Sequence, residues 1–155
     1  MSDNRICTFI ESPYSGKIDR NVRYLKLCKY DSYVRNEMPC SSHDDMTQHP
    51  IKSDFYVSDY EKKWDIYTRE EAINASHFLR KLCNKTVFYI DLGWSSGMKS
   101  ALEYCKKNNL QYEIRNLNYE NVLSLNSLIT HEFIDAIVKN KPYSHFLEGT
   151  LLEKN

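Results

Sequence analysis

Hydrophobic positions along the chain fall into strand-like runs and helically spaced stripes, separated by polar turns. Arg5 to Ile10 reads as a short buried strand. Glu11-Ser12-Pro13 ends it, because proline cannot continue a central ladder and restricts the residue before it. After a loop over Gly16 to Arg20, the spacing of Tyr24, Leu25, Leu27, Cys28 and Val34 predicts a helix over Asn21 to Asn36. Met38 to Ser41 is a weaker second strand. Ser42 to Tyr67 has no period and contains Pro50, which predicts a long loop, either a lid or binding loop or a plain surface insertion. Thr68-Arg69-Glu70-Glu71 is a capping box, so a helix starts there, with Ala72, Ala75, Leu79 and Leu82 as its apolar stripe and its end near Asn84. Thr86 to Ile90 is the strongest strand signal and reads as central. Asp91 to Gly97 is a turn, Met98 to Lys107 a helix with Leu102 and Cys105 inward, and Gln111 to Arg115 another strand. A last helix is predicted over Ser127 to Asn140, where Leu128, Ile129, Phe133, Ile134, Ile137 and Val138 form a stripe suited to a core or to an oligomer interface.

This β-α-β-α-β-α-β order predicts an α/β fold: a mostly parallel sheet of four to five strands, right-handed crossovers and helices on both faces. The expected division is an α/β domain over 1–117 and a helical extension over 118–155 packed on it. In such a fold ligands bind outside the carboxyl ends of the strands. Three polar clusters then share one rim: Glu11 to Gly16, Ser41 to Asp45, and Asp91 to Gly97.

Composition narrows the function classes. Lys plus Arg and Asp plus Glu are both 21, so the formal net charge is zero and no basic field gathers polyanions; nucleic acid is not the expected partner. The five cysteines (Cys7, Cys28, Cys40, Cys83, Cys105) are odd in number and contain no C-x-x-C pair, which fits neither a disulfide framework nor a zinc ribbon. They read as reduced thiols of a cytoplasmic protein. The apolar run after Arg5 is too short for a signal segment or a membrane span, so no membrane association is expected.

At the rim, Asp91 at a strand end is placed to accept from ribose hydroxyls, while Ser95, Ser96 and the N–H groups of Gly97 and Met98 can face an anion with the helix dipole behind them. The ordinary alternative is that Ser95 or Ser96 caps the helix and Asp91 ties the turn. Glu11, where the first strand leaves the sheet, is the candidate nucleophile, general base or ribose ligand, or else a solvated loop carboxylate. Glu70 and Glu71 are explained by the helix start. His43, Asp44, Asp45 and His49 match no ligand spacing, so no metal and no cofactor is expected; His77, His131 and His145 read as ordinary histidines.

Ile10 through Gly16, Arg20-Asn21-Val22, Pro39 through His43, Arg69 through Ile73 and Tyr89 through Met98 together give a resemblance, over roughly residues 5–117, to a family of small phage and bacterial proteins of unassigned function. That family in turn is similar to the nucleoside 2-deoxyribosyltransferases. The resemblance implies a flavodoxin-like three-layer sandwich, a homo-oligomer, and a nucleoside site to which Ser12, Tyr14, Ser15, Asn21, His43, Asp91, Gly93, Ser95, Ser96, Gly97 and Met98 contribute. The transferases cleave an N-glycosidic bond through an acidic residue directly after the positions matching Gly97-Met98. Here that residue is Lys99, which cannot form a glycosyl ester. Two expectations follow. One is a module that binds a nucleoside, nucleotide or ADP-ribose-like molecule, with sequestration of a signalling nucleotide as one use of it. The other is an N-glycosidase or deoxyribosyltransferase that uses Glu11, or less readily Glu70, in place of the missing acid. Glu103, one turn beyond Lys99, reads as its surface i,i+4 partner.

Overall fold

Four strands and three long helices alternate in the order the periodicity predicts, in a computed structural model that describes residues 3–14, 16, 18–45 and 69–118. Strand β1 (Ile6–Glu11) stops two residues before Pro13, and helix α1 (Ile18–Val34) follows. The helix starts three residues before the predicted Asn21 and ends two residues before the predicted Asn36. It ends where Asn36 takes φ 65 and the Arg35 N–H reaches back to Asp31 O and Ser32 O, a left-handed stop that asparagine tolerates. Strand β2 (Glu37–Cys40), the single turn α2 (Ser42–Asp45), α3 (Arg69–Leu82), β3 (Lys85–Tyr89), α4 (Ser96–Lys107) and β4 (Tyr112–Arg115) complete the described elements. The capping threonine Thr68, the predicted 46–67 part of the long loop and the Ser127–Asn140 helix lie outside the described residues.

All four strands are parallel, in the order β2-β1-β3-β4. The fold is therefore an α/β sandwich of flavodoxin-like type. Chain direction across the sheet reverses between β1 and β3, the topological switch point at which such sheets open a crevice. Register sets the two faces. Ile10 pairs with Val87 and faces α1, with Tyr24, Leu25, Leu27, Cys28, Tyr89, Leu92 and Leu117 in one core. Glu11 pairs with Phe88 on the opposite face, where Ile90, Met98, Ala101 and Cys105 form a second core with Leu102 partly buried at its border. Burying each large side chain of these clusters contributes about 1.5–3 kcal/mol. β2 is an edge strand and contains Pro39, the position in a sheet where a missing N–H is tolerated.

A polar band runs across the α1 face and locks the register. Glu37 of β2 accepts from Arg115 of β4 at 2.9 and 3.0 Å and from Ser32 at 2.6 Å. Lys85 of β3 reaches Glu37 at 2.9 Å and Glu113 at 2.7 Å, and Tyr89 donates to Asp31 at 2.6 Å. Burial alone would raise the Glu37 carboxyl, but Arg115, Ser32 and Lys85 outweigh it and hold the group at about 2. One strand slipped by a residue would leave these charges buried and unpaired.

Helix α3 departs from its predicted orientation. Leu82 is 65% exposed and Phe78 67%, Ala75 is exposed, and the residue turned inward is Arg80, which is 3% exposed. The stripe Ala72-Ala75-Leu79-Leu82 is thus not the buried face. What overrides it is an ion pair described below.

Candidate functional site

Parallel strands place the ends of β1, β2, β3 and β4 on one rim, and the switch point puts Ser12 to Tyr14 beside Asp91 to Gly97. Two groups of predicted site residues form there. In the first, Asn21 of α1 donates to Tyr14 O at 2.9 Å, and the Tyr14 and His43 rings meet at 5.2 Å with a 39° tilt, joining the loops after β1 and β2. Ser12 is fully buried and its Oγ has no hydrogen-bond partner. Ser15 lies outside the described residues.

In the second group, Gly93 takes φ 82, a left-handed conformation natural to glycine, and its N–H closes the turn on Ile90 O at 2.8 Å. Ser95 is the N-cap of α4: its Oγ accepts from the Met98 N–H at 3.1 Å. That corrects the expectation for Met98, whose N–H is taken by the cap and whose side chain is in the core. Ser96 and Gly97 remain exposed, with first-turn N–H groups that have no acceptor inside the helix.

Asp91 is set behind the rim. It is 0% exposed; one oxygen accepts from Tyr24 Oη at 2.5 Å, and both accept from the Leu117 N–H at 3.1 and 3.2 Å. Its own N–H donates to Tyr24 Oη at 3.0 Å. The carboxylate therefore ties α1, β3 and the chain after β4 together, and no ribose hydroxyl reaches it in this arrangement. Burial raises its carboxyl from 3.8 to about 6, against the pull of the Tyr24 and Leu117 donors. A buried acid raised in this way stabilises the fold while protonated, fully below about pH 4, and that contribution is lost as pH rises through about 6. Tyr24→Phe removes one donor to the carboxylate and one acceptor for the Asp91 N–H, so it is expected to cost about 1–3 kcal/mol near pH 7. The loss should shrink toward pH 4, where the carboxyl is neutral; urea unfolding at the two pH values measures it.

Glu11 is likewise not a solvated loop carboxylate. It is 6% exposed and forms an ion pair with Arg80, whose guanidinium also stacks over the Phe9 ring at 4.4 Å and lies 3.3 Å from Thr86 Oγ1. An arginine-paired carboxylate has its lone pairs engaged, which opposes nucleophilic attack. Lys99 is exposed, and Glu103 pairs with Lys106 at 3.2 Å rather than with Lys99. Glu70 and Glu71 are exposed on the first turn of α3. His77 stacks on Tyr104 at 3.7 Å, which joins α3 to α4; burial, then Arg80, lowers its pKa.

Sequence reasoning missed Arg80 and Asn116. The latter follows β4 on the same rim, and its Oδ1 is buried without a hydrogen-bond partner. A lone asparagine after a strand carries no pattern that would single it out. Ile6 opens β1 and Arg115 closes β4, and residues 6–115 are also the span that matches a domain of unknown function, DUF7768. The chain belongs to this family. The DUF7768 unit thus contains the whole described sheet and every rim loop up to Arg115, while Asn116 and the Leu117 donor to Asp91 lie just beyond it. No curated protein and no solved structure matches the chain. A shallow recess of about 300 Å³, lined by Cys105, Lys106, Asn109, Leu110, Gln111 and Tyr112, lies at the opposite edge of β4 and shares no residue with the rim. Among the described residues no helix is long and apolar enough to cross a membrane.

Proposed function

We propose that the rim between β1 and β3 binds a nucleoside, nucleotide or ADP-ribose-like molecule and holds it intact. The observation that carries this reading is the pair of buried, partnerless polar atoms at the rim, Ser12 Oγ and Asn116 Oδ1, each just past the end of a strand that flanks β3. A buried polar group without a partner costs free energy, and a hydroxyl or amide of a ligand supplies the partner. The exposed first turn of α4 suits a phosphate, and the Tyr14 and His43 rings offer faces for a base. Two features favour binding over turnover: Glu11 is committed to Arg80, and Lys99 stands where the resembled transferases carry their acid. The same resemblance suggests a homo-oligomer, for which exposed Phe78 and Leu82 supply apolar surface. The reduced cysteines suit a cytoplasmic setting.

The test is to incubate the protein with nucleosides, nucleotides, NAD and cyclic ADP-ribose species, separate it by ultrafiltration, and analyse both fractions by chromatography with mass detection. One compound retained and recovered intact supports the proposal; free base exceeding the molar amount of protein replaces it with the glycosidase reading. Ser12→Ala should weaken retention about 2- to 10-fold while leaving thermal stability unchanged or raised, since it deletes a hydroxyl that has no partner in the fold. A Cβ at Gly97 meets only Ser95 Oγ, at 3.8 Å, so Gly97→Asp should fold normally and still repel a phosphate. Nucleotide retention that survives Gly97→Asp removes the phosphate from the first turn of α4.

A further inference from the structure

Three of the five cysteines converge, although Cys83 stands 76 residues from Cys7 and 43 from Cys40 along the chain. Cys7 is the second residue of β1, Cys40 the last of β2, and Cys83 follows the last turn of α3. Cys83 Sγ lies 3.1 Å from Cys7 Sγ and 3.4 Å from Cys40 Sγ, and all three sulfurs are within 4.8 Å of one another. The register pairs Cys7 with Met38 and Phe9 with Cys40, so Cys7 and Cys40 share the sheet face that α3 covers. Two hydrogen bonds between Cys7 and Asn84 fix the arrangement. The Cys7 N–H donates to Asn84 Oδ1 at 2.7 Å and the Asn84 N–H to Cys7 O at 2.9 Å, which clamps the residue after Cys83 onto β1.

We infer that Cys7, Cys40 and Cys83 form a three-thiolate site for a thiophilic closed-shell cation, Zn²⁺ or Cu⁺. Hard cations such as Ca²⁺ and Mg²⁺ require oxygen ligands, and the group contains none. Thiolates at a Zn–S distance of about 2.3 Å stand about 3.8 Å apart in a tetrahedral shell, a spacing that small χ1 rotations reach from the observed triangle. Binding exchanges thiol protons for the ion, and the protons pass to the buffer. Each of the three cysteines is half-buried, so a fourth position opens toward solvent. Met38, 56% exposed, is level with Cys7 on the same face; a thioether donor suits Cu⁺, whereas Zn²⁺ would take a water or an outside ligand. The site lies roughly 13 Å along β1 from Glu11, at about 3.3 Å per residue, and is independent of the ligand proposed at the rim.

The test uses the full chain without a histidine tag, reduced, stripped of metal and shown to have five titratable thiols. It is titrated with Zn²⁺, and anaerobically with Cu⁺, against chromophoric chelators, and with Co²⁺ as an absorption probe. The expected result is one ion per chain and intense thiolate-to-cobalt charge transfer. Affinity should fall by at least about 100-fold in Cys83→Ser and Cys7→Ser, given that losing even an outer partner of a ligand costs 10- to 100-fold. It should be unchanged in Cys105→Ser, whose thiol is in the α4 core. If Cys83→Ser does not fold, Cys40→Ser at the sheet edge carries the same comparison. Met38→Leu weakening Cu⁺ but not Zn²⁺ identifies the ion. No uptake by the fully reduced protein, equal uptake by Cys83→Ser and wild type, or air oxidation to a Cys7–Cys83 disulfide with no metal affinity before it, overturns the assignment.

Discussion

Glu11→Gln is expected to lower the unfolding free energy by about 3–5 kcal/mol near neutral pH, the usual cost of leaving one member of a buried ion pair without its counter-charge. Arg80 is 3% exposed, its Nε already has no partner, and its remaining contacts are the Phe9 ring and a 3.3 Å approach to Thr86 Oγ1. Without the Glu11 carboxylate this charge is neither solvated nor paired. Arg80→Ala should cost as much for the reciprocal reason. The double variant Glu11→Leu, Arg80→Met should recover most of the loss, since a buried pair exchanged for apolar groups of similar volume is often neutral. Urea unfolding of wild type and the three variants measures these differences, and a Glu11→Gln variant as stable as wild type would show that water reaches the pair. The same measurement guards the enzymology: inactivity in Glu11→Gln says nothing about a catalytic carboxylate until the variant is shown to be folded.

Arg115→Met is the second large effect, again about 3–5 kcal/mol near pH 7. It strips Glu37 of a bidentate partner at 2.9 and 3.0 Å, and also removes two donors from Glu113, which keeps Lys85, and one from Tyr89 Oη. Acidity supplies the control. Glu37 is held at about 2 against an ordinary 4.5, so its contribution to wild-type stability is complete above about pH 4.5 and is lost as pH falls toward 2. In Arg115→Met the main cause of that depression is gone. The gap between variant and wild type should therefore narrow between about pH 4.5 and pH 3; a constant gap would mean that Arg115 acts through packing alone.

Periodicity made most of the fold legible, because strands and helices here differ in the spacing of their apolar residues and one connection follows another without interruption. The four parallel strands and the shared rim came from that order alone. On α3 the residues at apolar helical spacing are Ala72, Ala75, Leu79 and Leu82, while the residue that faces the sheet is an arginine whose partner is 69 residues away. Asp91 could be placed at a strand end from sequence, but its burial depends on Tyr24, 67 residues earlier, and on Leu117, 26 residues later. In sequence Ser95 suits both an anion ligand and a cap, and the Met98 N–H decides for the cap. The cysteines look scattered in sequence because metal motifs are recognised by short spacings; the three that meet come from β1, from β2 and from just past the end of α3.

The edge position of Pro39 bears on aggregation. A parallel sheet exposes two rows of unpaired backbone groups, each a template on which another chain can add a strand. At β2 that row is interrupted by a residue with no N–H to give, so an incoming strand would lose a rung in the middle of a four-residue ladder. Among the described residues β4 forms the other edge and carries no proline. Among the described residues the sheet is thus asymmetric toward growth: extension past β2 forfeits a rung that extension past β4 keeps, which favours strand addition on the β4 side.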